Sequence, residues 1–357
     1  MKKITNILVG LLFASSLAFT SAVQAGELSV SGSATATITK GGRIQHSGQQ
    51  VGVANELAFG ASGELDNGMT WNYVTELDGT STITDDVQLT ISGGFGTVGF
   101  FASEGGLSTD VLGVGALGSG KDYADTYSGW KVGYDVDGYG NVQYHLPSGI
   151  LPFGGSVKVG YVPTMQNTNV NSAKGNEAIA AVEDVGRSLT QIQIGLAPID
   201  GVTIKADGAW TDGANGETST NASTKGEQGV SGNAQIVYAA GPFKVGYSQG
   251  AHQPAVASGA NTVYYENKGY AASFALNENV VVSYYKDESK STTLALAATG
   301  TTKTKTAVTM EQDTYQIAYT MGGMTIGYSM AEASNTGYSS SAGKTTNVNI
   351  LSVAMAF

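Results

Sequence analysis

Residues 314–329 read TYQIAYTMGGMTIGYS. Tyr315, Ile317 and Tyr319 alternate with Gln316, Ala318 and Thr320, and Met324, Ile326 and Tyr328 alternate with Thr325, Gly327 and Ser329. Successive side chains of a strand point to opposite faces, so each run is a strand with one apolar and one polar face. Gly322-Gly323 between them supplies the positive φ that a tight hairpin demands. The same alternation recurs at Phe243/Val245/Tyr247, Val157/Val159/Tyr161 and Ile192/Ile194/Leu196. Working outward from these runs predicts sixteen strands: 27–39, 53–65, 69–78, 86–93, 97–102, 129–146, 155–163, 187–197, 201–211, 228–240, 242–249, 262–276, 279–287, 311–321, 324–331 and 346–357.

The connections alternate in length. Asp66-Asn67-Gly68, Pro198-Ile199-Asp200, Gly241-Pro242 and Asn277-Glu278 are short, whereas 103–128, 164–186, 212–227, 250–261, 288–310 and 332–345 are long and polar. Tight turns on one side and long loops on the other are the plan of a transmembrane β-barrel. Closure follows from the cost of open edges, because in lipid each unpaired backbone group costs several kcal/mol. The fold class expected is therefore all-β, a sixteen-stranded antiparallel transmembrane β-barrel, with a lumen too wide for side chains to fill.

Composition agrees. Fifty glycines, 18 tyrosines and no cysteine suit many amphipathic strands held by a closed ladder. Lys2, Lys3, the apolar run Ile7–Phe19 and Val23-Gln24-Ala25 have the anatomy of a secretory leader, placing a signal peptide over 1–25 and the barrel over 26–357. A net charge of −11 disfavours a nucleic-acid partner. Trp130, Tyr134, Tyr161, Tyr247, Tyr284, Tyr319 and Tyr328 fall near the ends of apolar faces, where an aromatic belt would meet lipid headgroups.

The last run, Asn349-Ile350-Leu351-Ser352-Val353-Ala354-Met355-Ala356-Phe357, presents Leu351, Val353, Met355 and Phe357 to lipid. It resembles the closing strand of outer-membrane proteins, in which the final Phe, here Phe357, is read by the barrel-insertion machinery. Three more stretches carry a resemblance: Gly26–Gly32 (GELSVSG), Asn55–Gly60 followed by Leu65–Trp71, and Val87–Val98 (VQLTISGGFGTV). In that order they resemble the Gram-negative trimeric porins, especially the alphaproteobacterial type. The resemblance implies an outer-membrane homotrimer passing small hydrophilic solutes and ions.

It also implies that the third long loop, 103–128, folds into the barrel and narrows it. Glu104, Asp110, Asp122 and Asp125 would then be the constriction's loop side, and Lys131, Lys158, Lys205 and Lys244, inward by alternation, its wall side. Acid facing base across an eyelet selects by size and charge. The better-known general porins stack arginines there. After the leader this chain has only Arg43 and Arg187, at or near predicted external loops.

Signs of chemistry are weak. Gly113–Gly118 matches G-x-G-x-x-G and Gly115–Lys121 matches G-x-x-x-x-G-K, but no βαβ unit surrounds them and Asp122 stands where a phosphate loop needs Ser or Thr. His46, His145 and His252 lie far apart, with His145 expected at an interfacial turn. Asp135-Val136-Asp137-Gly138 and Asp85-Asp86 lack the spacing of a calcium loop. No enzyme, cofactor or metal is expected. The main reading is a passive diffusion channel. Its alternatives are a substrate-specific channel with an aromatic track at Tyr123, Tyr127 and Trp130, and an adhesive barrel whose loops bind partners.

Overall fold

The computed structural model describes residues 27–41, 48–78, 87–102, 104–119, 129–163, 165, 188–214, 228–255, 262–296, 303–341 and 344–357. Within them run sixteen strands: β1 (Glu27–Gly41), β2 (Gly48–Glu64), β3 (Thr70–Asp78), β4 (Val87–Gly93), β5 (Gly96–Ala102), β6 (Asn141–His145), β7 (Ser156–Val162), β8 (Ser188–Leu196), β9 (Val202–Ala214), β10 (Gln228–Ala240), β11 (Phe243–Gln253), β12 (Thr262–Ala275), β13 (Val280–Leu296), β14 (Lys303–Met321), β15 (Met324–Ser334) and β16 (Thr345–Ala356). Every strand pairs antiparallel with its sequence neighbours, and β1 pairs with β16 to close the barrel. The seam is finished by Phe357, whose N–H donates to the Gly32 carbonyl at 2.9 Å while the Gly32 N–H donates to the Phe357 carbonyl at 2.8 Å.

The wall has two solvents. On β14, Tyr315 and Ile317 face outward with 48% and 43% of their surface exposed, while Gln316 and Ala318 between them face inward at 4%. Exposed apolar residues such as Val30, Val53, Ile194, Ile236 and Val245 continue this belt round the barrel. A contiguous apolar outer belt with a polar interior inverts the order of a water-soluble protein and matches a lipid-facing wall. Outward tyrosines mark its upper margin, with ring centroids 5.2 Å apart for Tyr247 and Tyr270 and 5.0 Å for Tyr284 and Tyr315. Between β14 and β15 the hairpin turns at Gly322 with φ of 61°, a conformation that would strain any other residue.

Three expectations are corrected. The sixth strand is not 129–146 but only Asn141–His145, because residues 129–140 run inside the barrel with a short 3₁₀ turn at Val136–Gly138. Trp130 and Tyr134 therefore belong to the interior and not to the aromatic belt. Second, β13 and β14 continue far into the segment read as the loop 288–310. Their upper outward positions carry charge instead of apolar residues, which hides the strand from an apolar alternation. The charges pair across strands, Lys286 with Glu311 at 3.6 Å and Lys290 with Glu266 at 3.2 Å. Third, His145 is not interfacial: it faces the lumen from β6, its Nε2 2.8 Å from Gln143 Oε1.

Candidate pore constriction

Between β5 and β6 the chain enters the lumen and lies against the inner wall. Described residues 104–119 form an outgoing arm that meets the strands in order. The Asn141 and Gln143 amides on β6 donate to the carbonyls of Glu104 and Gly105. Gln193 on β8 donates to the Leu107 carbonyl at 3.0 Å, and Gln235 on β10 to those of Thr109 and Val111. Further round, Ala116 N–H donates to Ser283 Oγ on β13 at 2.9 Å, and Leu117 N–H to Gln316 Oε1 on β14 at 3.2 Å.

Residues 129–140 return at a level nearer the long loops. Trp130 Nε1 donates to Gln312 on β14, Asn267 on β12 donates to the Lys131 carbonyl, and Tyr134 N–H donates to Ser231 on β10. The residues met by this arm (Gln312, Asn267, Ser231) lie above those met by the first (Gln316, Gln235) on the same strands or next to them. A backbone with no ladder of its own thus has its polar groups satisfied by wall glutamines, asparagines and serines.

Apolar side chains press the arms to the wall. Leu107 packs with Val136, Val162, Leu189 and Ala209, while Leu112 and Val114 pack with Ala271 and Tyr285. Burial of each is worth about 1.5–3 kcal/mol. Leu107 lies over Gly160 on β7, and Leu112 and Val114 lie over Gly246 on β11, where any added Cβ would meet them at about 3 Å. The Gly113–Gly118 motif has the same explanation: a side chain at Gly115 would collide with the Gly118 carbonyl and the Tyr285 hydroxyl. Gly115 thus serves a close backbone approach, and Gly118 a turn with φ of 102°.

Two carboxylates pin the bend of the outgoing arm. Asp207, inward on β9 and 9% exposed, accepts the Thr109 N–H and hydroxyl, both at 2.7 Å. Asp135 of the return arm accepts the Leu107 and Ser108 N–H groups, both at 2.8 Å. Burial, then the neighbouring Asp137, pushes the Asp135 carboxyl up to about 6, and burial also raises Asp137. The sign follows directly. Above pH 6 Asp135 is ionised, and as the pH falls through 6 it takes up a proton and the lumen loses a negative charge. Cation preference is therefore expected to fall between pH 7 and 5 with a midpoint near 6, measured as a reversal potential under a salt gradient, and Asp135→Asn should remove that step. Because the folded value lies above the unfolded one, docking of the arm is most stable below pH 4 and weakens as the pH rises through 6.

The expected site residues divide. Glu104 and Asp110 both lie close enough to Asp137 on the inserted segment to repel its charge. Asp122 and Asp125 lie outside the described residues. Lys158 on β7, Lys205 on β9 and Lys244 on β11 have inner-face positions in the same registers as Gln193, Gln235 and Ser273. Lys131 has no place on the wall. It rides on the return arm, its N–H donating to the Tyr338 hydroxyl at 3.0 Å. Of the aromatic track, Trp130 is 8% exposed and turned to the wall, and Tyr123 and Tyr127 lie outside the described residues.

Among the described residues, a space of about 560 Å³ lies between Leu117 and Thr35, Thr37 and Thr39 on β1 and Ile350 and Ser352 on β16. On β16 and β1 to β4 the inward positions include Glu56 and Glu76, paired in register with Ser33 and Ala58. Among the described residues these strands place no Lys or Arg inward. Among the described residues, Lys158, Lys205 and Lys244 stand on the arc of wall that the inserted segment covers. Sequence reasoning missed Glu56 and Glu76, although alternation from Ala58 and Gly60 orients them.

Fold and site together define a membrane-spanning β-barrel narrowed by an internal segment. No protein-family model matches the chain, and no curated protein matches its sequence. Solved structures do. The chain is similar to the trimer form of OmpT, an outer membrane protein of Vibrio cholerae, with a TM-score of 0.62 at 11% identity over 94% of this chain and 100% of that one. An anion-selective porin from Comamonas acidovorans aligns with a TM-score of 0.62 at 13% identity over 93% and 100%. Salmonella typhi OmpF, in complex with daunomycin, gives 0.60 at 14% identity over 93% and 98%. At such identities the likeness is one of fold.

Proposed function

We propose that the chain forms a water-filled channel across the outer membrane of a Gram-negative bacterium, through which small hydrophilic solutes diffuse passively with a preference for cations. One observation carries the reading: a closed wall, polar inside and apolar outside, holds an inserted segment that carries carboxylates into the lumen. A lumen of this strand number is too wide to pack and fills with water. Carboxylates in a narrow water-filled passage concentrate cations there. The apolar belt would contact lipid, and the likeness to the OmpT trimer supports a homotrimer. In this proposal Phe357, 71% exposed, is the residue that the barrel-insertion machinery reads.

Planar-bilayer recording of the purified, folded protein tests this reading. Ohmic steps that do not saturate with solute, together with a reversal potential favouring cations, are the expected result. Absence of conductance from a heat-modifiable preparation overturns it, and block by one solute class would favour a specific channel instead. Asp122 and Asp125 belong to the constriction in this proposal, so Asp122→Lys with Asp125→Lys should lower cation preference. Unchanged selectivity removes them from the site.

A further inference from the structure

The three wall lysines share a position relative to the inserted segment. Lys158 is the first inward residue below Gly160, over which Leu107 and Val136 lie. Lys205 is the first below Asp207, which holds Thr109. Lys244 is the first below Gly246, beneath Leu112 and Val114, and its Nζ reaches the Gly113 carbonyl at 3.5 Å. On β7, β9 and β11 the chain rises from short turn to long loop, so "below" means toward the short turns. The segment therefore has a ledge of three ammonium groups along its lower edge. Lys158 and Lys205 are near enough to repel one another. The ion pairs of the described residues lie on the outer face, and none joins these lysines to a carboxylate.

Above the ledge the charge is of the other sign. Asp135 and Asp137 ride on the return arm, which meets the wall nearer the long loops, with Lys131 the one described cation on that arm. Moving from the long-loop side to the short-turn side, a solute passes these carboxylates first and the ammonium row second.

We propose that these two zones act in series, so that the channel rectifies ionic current and favours solutes bearing both a cationic and an anionic group. The inference rests on the channel reading. Its physical basis is that each zone enriches its own counter-ion within a Debye length. With the long-loop side positive, cations enter through the carboxylate zone while anions enter through the lysine row. Both streams converge, local ion concentration rises, and current is high. The opposite polarity draws both ions out of the junction and depletes it. A zwitterion entering from the long-loop side with its ammonium group trailing can engage both zones at once, its carboxylate on the row and its ammonium group on the acids.

Single-channel recording tests this with the full chain. Ile199→Cys, in an exposed short turn of a cysteine-free chain, reports orientation through its access to an impermeant thiol reagent. In about 0.1 M salt, where the Debye length is about 10 Å, current with the long-loop side positive should exceed the reverse about twofold. In about 1 M salt, with a Debye length of about 3 Å, the asymmetry should vanish. Lys158→Gln with Lys205→Gln and Lys244→Gln should abolish it at low salt while conductance persists. Symmetric current at low salt from the unaltered protein overturns the inference and leaves the channel reading standing. Undiminished rectification in the triple variant overturns the role of the lysines, and absence of any conductance overturns both readings. The low-salt test needs no wall variant, so it stands even if the triple variant fails to fold.

Discussion

A chain carrying Glu104→Lys, Asp110→Lys and Asp137→Lys is expected to pass anions in preference to cations. Burial, then the charges of Glu104 and Asp110, raise the proton affinity of Asp137, so both carboxylates lie near it on the inserted segment. Glu104 Oε2 accepts its own neighbour's N–H, from Gly105 at 2.8 Å, and Asp110 accepts the Ser108 hydroxyl at 2.7 Å. The anchoring carboxylates, Asp135 and Asp207, are left in place. In water at about 8 Å one unit charge is worth about 0.5 kcal/mol, and salt roughly halves it. Reversing three charges changes the cation-against-anion difference by on the order of 3 kcal/mol, roughly a 150-fold change in permeability ratio. The measurement is the reversal potential under a salt gradient at pH 7.5, where Asp135 is ionised. A ratio unchanged within threefold would place the limiting filter elsewhere, with Glu56 and Glu76 the next candidates.

How much of this was legible before the fold was known depends on what a local pattern can encode. Alternation specifies which way a side chain points on a strand, and sixteen strands with their hairpins follow from it because each wall position has lipid on one side and water on the other. It fails where that contrast fails. The upper halves of β13 and β14 are wet on both faces, with Lys286, Glu288, Lys290 and Glu311 outward, so the pattern reads as loop although the ladder continues. The tetrapeptide KVGY gives the sharpest case. It occurs at Lys131–Tyr134, Lys158–Tyr161 and Lys244–Tyr247, twice as wall strand and once inside the lumen. Four residues cannot tell these apart. The first copy runs into Asp135, Asp137 and Gly138, and its Gly133 adopts φ of 142°, outside the strand region of a residue with a side chain. The charge layout was the least legible part. It depends on which arc of the barrel the inserted segment covers, and that is decided by contacts such as Thr109 with Asp207, 98 positions apart.

Uprooting the segment should have the largest effect on conductance, and Leu107→Asp with Leu112→Asp is the variant that does it. Leu107 and Leu112 are 1% and 3% exposed, each lodged over a wall glycine. Losing both apolar contacts costs about 3–6 kcal/mol. The introduced carboxylates would have to be buried against Val136, Val162 and Leu189 or against Ala271 and Tyr285, which adds several kcal/mol more unless the segment leaves the wall. Against this stand the hydrogen bonds to Asp135, Asp207, Gln193 and Gln235, each worth about 1 kcal/mol net and about 1.5–3 when the acceptor is charged. Docking is therefore close to lost in the double variant, while the barrel, whose ladders involve neither leucine, persists. Expected results are a larger and noisier single-channel conductance, reduced ion selectivity, and unchanged heat-modifiable mobility of the folded barrel. The wall donors Gln193 and Gln235 would be exposed to water and should become accessible to solvent exchange at the same time. Conductance equal to that of the unaltered chain, in a barrel shown to be folded, would mean that the segment does not set the width of the pore.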